Sequence, residues 1–371
     1  MENIFGRADR KLGFGCLRLP MRGDEVDREA FCEMVDYFLE NGFCYFDTAR
    51  SYLDGKSETA LRECLVERHP RESYIFVDKL TSSCFDSEEE IDPLFQRQLD
   101  DCGLEYFDFY LMHAQSAELF EKYKRCRAYE HALEYLKQGR IRHFGISFHD
   151  KAEVLEEILR AYPQIELVQL QFNYVDYDDA SVQSRKCYEL CRKYGKPVVV
   201  MEPVKGGCLA RLPEPAQEVF DALGSASAAS YAVRFAAGFE GVQMVLSGMG
   251  DMEMMRDNVS YMKDFAPLSE RERAAVDRVR EIFRAQDLIP CTACRYCVPE
   301  CPKKIPIPNL FACMNARKQF QQGNSSYYYD LHTASGGRAS ECVECGRCEK
   351  ACPQHLKIRA HLKDVAKEFE K

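Results

Sequence analysis

Two groups of cysteines near the C-terminus share one spacing, Cys-x2-Cys-x2-Cys-x3-Cys-Pro. The first group ends before Pro302 and the second before Pro353. Three thiolates at intervals of three residues in a tight turn can reach three corners of one cubane, and a cysteine from elsewhere fills the fourth corner. The pattern therefore predicts two [4Fe-4S] clusters, with eight metal ligands: Cys291, Cys294, Cys297, Cys301, Cys342, Cys345, Cys348 and Cys352.

The ligands of the two clusters are expected to cross between the groups. In two-cluster bacterial ferredoxins, which this region resembles, the last cysteine of each run binds the other cluster. By that rule one cluster takes Cys291, Cys294, Cys297 and Cys352, and the other takes Cys342, Cys345, Cys348 and Cys301. Tetrahedral zinc and disulfides are the alternatives, and Cys-x2-Cys pairs also suit zinc. Zinc does not need a third cysteine at the same interval and a Cys-Pro ending, twice over, so the spacing favours iron-sulfur clusters.

A second set of polar residues ends or follows strand-like segments in the first third of the chain. It consists of Asp47, Tyr52, Lys79 and His113. Each has a structural explanation when taken alone: a helix-capping aspartate, a packed tyrosine, a surface lysine and a hydrogen-bonded histidine. Together they could reduce a carbonyl group, because the oxygen that becomes an alkoxide needs a proton from a nearby acid.

The chemistry assigns a role to each of the four. Tyr52 would donate the proton, with its pKa lowered from about 10 by a buried Lys79. Asp47 would hold Lys79 charged and in place. His113 would orient or polarise the carbonyl oxygen.

Eight strand-like segments alternate with amphipathic helical segments over residues 1 to about 265. The strand candidates are residues 12–19, 43–49, 73–80, 107–113, 143–147, 167–173, 197–203 and 242–248. Repeated strand-helix units pair in parallel, and eight of them close a barrel. We therefore predict an α/β fold, a (β/α)8 TIM barrel. A doubly wound open sheet is the alternative, but no strand is followed by Gly-x-Gly-x-x-Gly.

The cysteine-rich region is predicted to form a second, small domain. A charged amphipathic helix at residues 267–285 precedes it, so we place the boundary near residue 286, with the barrel at 1–285 and a ferredoxin-like dicluster domain at 286–371. About forty residues separate the two cysteine runs, and IPNLFACMNARKQF among them has helical periodicity. This domain should therefore be mainly helical. Residues 323–329 are expected to form a loop.

Several stretches of the first domain resemble the aldo-keto reductase family. FDTARSYLDGKSE (46–58), VDKL, FYLMH and GRIRHFGIS (139–147) match the family's signatures in the right order, within about residues 10–265. The resemblance implies a (β/α)8 barrel that takes NADPH or NADH without a Rossmann motif and transfers hydride to a small carbonyl substrate, or from an alcohol. It also implies that Asp47, Tyr52, Lys79 and His113 form the catalytic tetrad.

The same resemblance implies a set of cofactor-binding residues. Ser147 and Gln169 stand where the family binds the nicotinamide carboxamide, and Met201 stands where it has a stacking aromatic ring. Gly206 and Gly248 lie in loops suited to the pyrophosphate, and Asp257 with Asn258 match the family's closing acid-Asn pair. Phe148 replaces the usual Asn, and Arg256 is the cation nearest to the 2′-phosphate position, so the choice between NADPH and NADH stays open.

The two predicted chemistries move different numbers of electrons. Nicotinamide delivers a two-electron hydride, whereas each cluster passes one electron, and a flavin is the usual converter. A barrel can bind a flavin through loops such as VKGG and SGMG, so a flavin stays possible. We predict a carbonyl reductase whose ferredoxin domain connects it to a redox protein partner. The alternatives are a flavin- or cluster-dependent oxidoreductase without nicotinamide, and a non-catalytic electron-transfer or regulatory subunit.

Composition narrows the class of protein further. The 371 residues carry a net charge of −10 and no long Lys/Arg run, so a nucleic-acid partner is not expected. No apolar segment approaches a membrane span, and the N-terminal residues lack the pattern of a signal peptide, so membrane association is not expected. We expect a cytoplasmic protein in which the 11 remaining cysteines are free thiols.

Overall fold

The structure is a computed structural model of the chain. It describes residues 4–6, 8–179, 182–224, 226–285, 288–289, 291, 295, 297–320, 324–352 and 356–370, without the side chains of 319, 320 and 324. These residues form two compact units. The first comprises Met1–Arg211 and Leu223–Val276, and the second comprises Leu212–Ala222 and Asp277–Lys371. The boundary near residue 286 stays a prediction, and a sequence reading did not suggest that residues 212–222 belong with the second unit.

The first unit contains a closed barrel of eight parallel strands, as predicted. The strand order around the barrel is β1-β8-β7-β6-β5-β4-β3-β2. The strands are β1 (Leu12–Gly15), β2 (Tyr45–Asp47), β3 (Ile75–Leu80), β4 (Phe107–Gln115), β5 (Ile141–Phe148), β6 (Leu167–Gln171), β7 (Val198–Met201) and β8 (Val242–Ser247). A small hairpin, Met21–Arg22 with Glu25–Val26, follows β1 and was not predicted.

Two apolar layers hold the barrel together. The inner layer fills the barrel with Cys44, Tyr45, Ile75, Val77, Phe109, Leu111, Leu167, Val199, Met244 and Leu246. Phe5 joins this layer and stacks on Phe109 with ring centroids 5.2 Å apart. Gly145 is needed where the strands approach closely, because a Cβ there would lie 2.8 Å from the side chains of Leu111 and Leu167. The outer layer packs the strands against the helices.

Helices follow the strands and cover the outside of the barrel. They are α1 (Arg28–Glu40), α2 (Lys56–Leu61), α3 (Ile91–Cys102), α4 (Ala117–Arg125), α5 (Ala128–Gln138), α6 (Ala152–Ala161), α7 (Ser184–Lys193), α9 (Ala228–Ala237) and α10 (Met252–Met262). Four of them, α1, α4, α9 and α10, begin directly after a residue whose side chain caps the first turn. In α1, for example, the Asp27 side chain accepts a hydrogen bond from the Ala30 amide and so caps the first turn. Phe31, Val35 and Phe38 then form its buried face.

The second unit is mainly helical. It includes α8 (Glu214–Asp221), the end of α11 (Glu270–Arg284), α12 (Ile307–Phe320), α13 (Asn324–Thr333), α14 (Arg347–Ala351) and α15 (Ile358–Phe369). Its core is a separate apolar cluster that includes Ile305, Leu310, Phe311 and Leu362. The helix predicted from IPNLFACMNARKQF is therefore confirmed as α12. The loop predicted at 323–329 was wrong, since residues 324–329 begin α13, where the Tyr329 ring stacks on Phe369 and favours an ordered helix.

No helix among the described residues is both long enough and apolar enough to cross a membrane.

Candidate active site and cluster domain

The carboxyl ends of the parallel strands meet at one rim of the barrel, and the predicted catalytic residues lie there. Asp47 is the last residue of β2, Lys79 lies one residue before the end of β3, and His113 lies near the end of β4. Because β2, β3 and β4 are neighbours in the sheet, their ends come together. The parallel pairing thus gathers residues that are far apart in the sequence.

Asp47 and Lys79 form a buried ion pair. The Lys79 Nζ donates to Asp47 Oδ1 at 2.6 Å and to the Thr48 carbonyl oxygen at 2.6 Å. The Lys79 side chain is 0% exposed, and the Asp47 side chain is 3% exposed. Burial alone would lower the pKa of Lys79, but the charge of Asp47 outweighs it and raises that pKa. Lys79 is therefore held as a cation in a site closed to water.

Tyr52 begins a short turn after β2, and its half-buried ring lies beside Lys79. The Lys79 Nζ lies 3.4 Å from the Tyr52 hydroxyl and 4.8 Å from its ring centroid. Burial raises the pKa of Tyr52 and Lys79 only partly offsets it, while Asp47 adds to the rise. The expectation of a lowered pKa was therefore wrong: Lys79 does act to lower the pKa of Tyr52, but burial, with the Asp47 charge added to it, outweighs the lysine. A tyrosine that stays protonated suits proton donation.

His113 completes the group with a neutral ring. Its ring centroid lies 5.9 Å from that of Tyr52. Burial first, then the charges of Lys79 and His149, lower its pKa well below the usual value. Thr81 Oγ1 lies 2.8 Å from His113 Nδ1. If the hydroxyl donates to Nδ1, the ring proton is left on Nε2, which can then donate to a substrate oxygen.

A buried polar network lies behind Lys79, and the sequence reading missed it. Gln98 Nε2 donates to the Lys79 carbonyl oxygen at 3.1 Å and to Glu58 Oε1 at 3.2 Å. The Lys79 amide donates to Asp78 Oδ1 at 2.8 Å. Burial is the main reason why the pKa values of Glu58 and Asp78 are raised, and Arg50 pairs with Glu58. With Lys79 paired to Asp47 and Arg50 to Glu58, Asp78 is the acid of this network that has no ion pair with a described cation, and burial and the Glu58 charge raise its pKa.

The residues expected at the nicotinamide carboxamide make contacts inside the protein. Gln169 Nε2 donates to Asp47 Oδ2 at 3.0 Å, so the carboxylate that holds Lys79 is held in turn by β6. Ser147 Oγ accepts a hydrogen bond from the Ala114 amide at 2.7 Å. Ala114 has a φ of +55°, an unusual conformation for this residue type directly after His113. Both side chains therefore position the tetrad, and Met201, half-buried at the end of β7, lies at the same rim.

The two glycines expected at the pyrophosphate lie near one arginine that the sequence reading missed. A Cβ on Gly206 would lie 3.7 Å from Arg18 Nη2, and a Cβ on Gly248 would lie 3.7 Å from Arg18 Nη1. Arg18 is exposed, follows β1 by three residues, and makes no hydrogen bond or ion pair within the described part of the chain. A guanidinium beside two glycine-bearing loops fits an anionic group such as a pyrophosphate. The sequence signal that could have identified Arg18 was its position shortly after the end of a strand.

Asp257 and Asn258 lie on α10 and are bound to neighbouring elements. Asp257 Oδ2 accepts a hydrogen bond from Ser227 Oγ at 2.8 Å, and burial raises its pKa. Asn258 is buried: its Oδ1 accepts from Ser247 Oγ at 3.2 Å, and its Nδ2 donates to the Met254 carbonyl oxygen at 2.7 Å. Asn258 thus fastens the end of β8 to α10. Its contact with a cofactor stays a prediction.

Seven of the eight cluster cysteines lie in the described residues, and Cys294 lies outside them. None of the seven forms a disulfide within the described residues, and six of them take part in one apolar cluster: Cys291, Cys297, Cys301, Cys342, Cys348 and Cys352. Burial, the Cys342 thiol and, to a smaller extent, the Cys301 thiol raise the pKa of Cys348 to about 11. Cys301 of the first run is thus a neighbour of the second run, as crossed ligation requires. Thiols in an apolar enclosure fit an iron-sulfur cluster.

Comparison with known families identifies both parts of the chain. The sequence model of the Aldo/keto reductase family matches residues 11–281. The chain belongs to that family. The model of a 4Fe-4S dicluster domain matches residues 290–356, C-terminal to the reductase region. The protein is therefore an aldo-keto reductase family member with a 4Fe-4S dicluster domain, and the predicted recognition and fold class are confirmed.

Curated relatives of this aldo-keto reductase match only part of it. It is 39% identical over 106 residues to the 4-dihydromethyl-trisporate dehydrogenase of Mucor mucedo, which covers 27% of this chain and 30% of the relative. It is 31% identical over 94 residues to a probable NAD(P)H-dependent D-xylose reductase of Aspergillus fumigatus, a match that covers 24% of this chain and 29% of the relative. The chain thus spans about a third of the length of the curated relatives that it matches.

Solved structures share the barrel. The aldo-keto reductase AKR11C1 from Bacillus halodurans, in its holo form, superposes with a TM-score of 0.58 at 23% identity, covering 72% of this chain and 91% of that chain. An aldo-keto reductase from Klebsiella pneumoniae in complex with NADPH gives a TM-score of 0.58 at 18% identity, covering 73% and 90%. At these identities the likeness establishes the fold. The flavin considered from the sequence finds no support in the matches described above.

Proposed function

We propose that this protein is an NAD(P)H-dependent reductase that exchanges hydride with a small carbonyl or alcohol substrate at the barrel rim. We further propose that its clusters exchange single electrons with a redox protein. The observation that supports the first part best is the buried group in which Lys79 contacts both Asp47 and Tyr52, with His113 beside the tyrosine. A relative described as NAD(P)H-dependent and a neighbouring structure with NADPH support the choice of cofactor.

In this proposal the nicotinamide supplies the hydride and the chain's residues handle the oxygen and the proton. The Tyr52 hydroxyl donates its proton to the substrate oxygen as that oxygen gains charge. The neutral His113 ring donates from Nε2 to the same oxygen and orients it. Lys79, fixed by Asp47, places a positive charge next to the forming tyrosinate and stabilises it. Each group then acts in the protonation state that its environment favours.

The proposed cofactor-binding residues surround this rim. Ser147, Gln169 and Met201 would form the nicotinamide side, while Asp257 and Asn258 would close the other side. The pyrophosphate would lie over Gly206 and Gly248, where Arg18 offers a cation. Hydride transfer and cluster electron exchange are proposed as separate activities, because the first moves two electrons and the second moves one.

The test is turnover by the cluster-loaded protein under anaerobic conditions. Oxidation of NADPH and of NADH is followed at 340 nm with a panel of aldehydes, ketones and α-dicarbonyl compounds. Tyr52→Phe should lose about 10²- to 10⁴-fold in kcat, the range expected for removing a general acid. Tyr37 is a half-buried tyrosine of α1, so Tyr37→Phe is the matched control and should keep full activity.

Two results would contradict the proposal. One is unchanged turnover in Tyr52→Phe with the fold intact by circular dichroism. The other is a wild-type protein with full clusters that oxidises neither nicotinamide with any member of the panel, which would favour a non-catalytic electron-transfer or regulatory subunit.

A further inference from the structure

The charge of the chain is unevenly distributed along the sequence. Residues 286–371 hold thirteen lysines and arginines against nine aspartates and glutamates, a net charge of +4, although the whole chain carries −10. The cysteine-rich region is therefore a basic segment of an acidic protein. Such a sign difference favours association with an anionic partner at that region.

Four cations of this region lie close in sequence to the cluster thiols. Lys303 and Lys304 follow Cys301 by two and three residues, and Arg347 and Lys350 lie within the second cysteine run. All four are exposed, and none of their side chains forms a hydrogen bond or ion pair with another described residue. Cys301 packs against the apolar cluster that contains Cys348, so the two pairs of cations flank thiols that share one core.

The acids of the second run are already neutralised within the unit. Glu344 pairs with Lys363 at 2.9 Å, and Glu349 pairs with Arg359 at 2.7 Å. Glu300 and Glu341 are exposed acids near the two runs that form no ion pair with a described cation, and they offset two of the four cations. A surplus of about two positive charges therefore faces solvent, and such a surplus steers association with a partner of opposite charge.

An apolar residue and a cluster thiol reach the surface among these cations. Val343 is 55% exposed, although valine is usually buried, and Cys345 is the exposed one among the seven predicted ligands that the structure describes. We call the residues Lys303, Lys304, Val343, Cys345, Arg347 and Lys350 the Cys345 surface. Small, partly apolar surfaces ringed by charge are typical of the weak contacts between electron-transfer proteins.

We propose that the Cys345 surface docks an acidic one-electron carrier protein. The inference rests on the proposed function, in which the clusters exchange single electrons with a redox protein, and it adds the site and the sign of the partner's charge. The unpaired cations attract and orient the partner, and Val343 supplies a small apolar contact. A partner seated there approaches the cluster at its exposed thiol.

The test compares two probes that differ in charge and share one redox centre. Native cytochrome c is cationic, and its lysine-succinylated form is anionic. The affinity of the full-length, cluster-loaded protein for each oxidised probe is measured by calorimetry. The dithionite-reduced protein is then mixed with each probe in a stopped-flow instrument. One electron reduces each haem iron. Reduction by dithionite makes both readouts independent of barrel activity, so failure of this proposal and failure of carbonyl reduction are distinguishable.

At about 20 mM salt the anionic probe should bind at least about tenfold more tightly and react at least about tenfold faster than the cationic one. At about 0.5 M salt, where charges are screened within a few ångströms, both ratios should fall below about twofold. Arg347→Glu/Lys350→Glu should weaken binding of the anionic probe about tenfold at low salt. Lys186→Glu/Lys367→Glu changes net charge equally at exposed positions outside the two cysteine runs and should stay within about twofold.

Three results would overturn the proposal. In the first, the wild-type protein binds both probes equally at low salt. This comparison uses no variant, so its outcome does not depend on whether a variant retains its clusters. In the second, both double variants weaken binding equally, which would mean that only net charge matters. In the third, Arg347→Glu/Lys350→Glu changes the mass of the protein in sedimentation, which would make the Cys345 surface a contact between copies of this chain.

Discussion

Replacing Lys79 by Met should destabilise the barrel strongly, and a second substitution should repair stability without repairing activity. In Lys79→Met the Asp47 carboxylate stays buried, 3% exposed, with Gln169 as its side-chain donor. Removing one partner of a buried ion pair costs about 3–5 kcal/mol, because a charge is left without its counterion. For a domain of this size each kcal/mol lowers Tm by roughly 2–4 °C, so the melting transition of the barrel should fall by roughly 6–20 °C.

The double variant Asp47→Asn/Lys79→Met removes both charges. It should recover most of the lost stability, because replacing a complete buried pair by neutral residues of similar size is often neutral. Carbonyl reduction should stay lost by about 10²-fold or more, since the charge beside Tyr52 is gone. Lys193→Met, in an exposed pair with Glu156, is the matched control and should change stability by less than about 1 kcal/mol.

The assay is thermal unfolding followed by circular dichroism, with clusters quantified by iron content before each scan. The raised pKa of Lys79 means that its stabilising contribution is complete below the unfolded pKa and is lost as pH rises through the higher folded value. The difference between wild type and Lys79→Met should therefore be constant from about pH 6 to 9. A Lys79→Met barrel that melts within about 2 °C of wild type, or an active double variant, would refute the reasoning.

Three further predictions concern protonation and ligation. The rate of carbonyl reduction should be nearly independent of pH between 6.5 and 10.0, the ordinary pKa values of histidine and tyrosine. The reason is that the pKa of His113 is lowered and that of Tyr52 is raised. A kcat that falls within this pH range would contradict the prediction. Thr81→Val should lower kcat about tenfold and bring a histidine titration into that profile, whereas Thr81→Ser should behave as wild type, since one hydrogen bond fixes the His113 tautomer. Cys301→Ala/Cys348→Ala should retain about four of eight irons under crossed ligation, and loss of both clusters on iron analysis would indicate uncrossed ligation.

The sequence predicted the fold because its signals were repeated and periodic. Each of the eight predicted strands, such as 167–173 and 242–248, corresponds to an observed strand; six observed strands are shorter than predicted, whereas β4 and β5 are longer. The positions of Asp47, Lys79 and His113 followed from the rule that parallel strands end at one rim. The cysteine runs were readable because metal ligation fixes both residue type and spacing.

The remaining features depend on three-dimensional neighbours that a sequence does not display. The direction of the Tyr52 pKa shift depends on how Asp47 and burial oppose Lys79, and these contributions arise only when the strands meet. Thr81 and Arg18 follow strand ends, but their partners lie on other strands or loops. Helix α13 was missed because GNSSYYY has turn-forming residues locally, whereas tertiary packing of Tyr329 on Phe369 favours the helix.

The most direct test of the account is the fate of a labelled hydride. The cluster-loaded protein is given NADPH, and separately NADH, deuterated at the transferred C4 position in each of the two stereochemical forms, together with a carbonyl substrate found in the turnover panel. The account predicts that one form places deuterium on the carbinol carbon of the product, as read by mass spectrometry, and that Tyr52→Phe suppresses formation of that product. An alcohol that contains no deuterium from either form would contradict hydride transfer at this barrel.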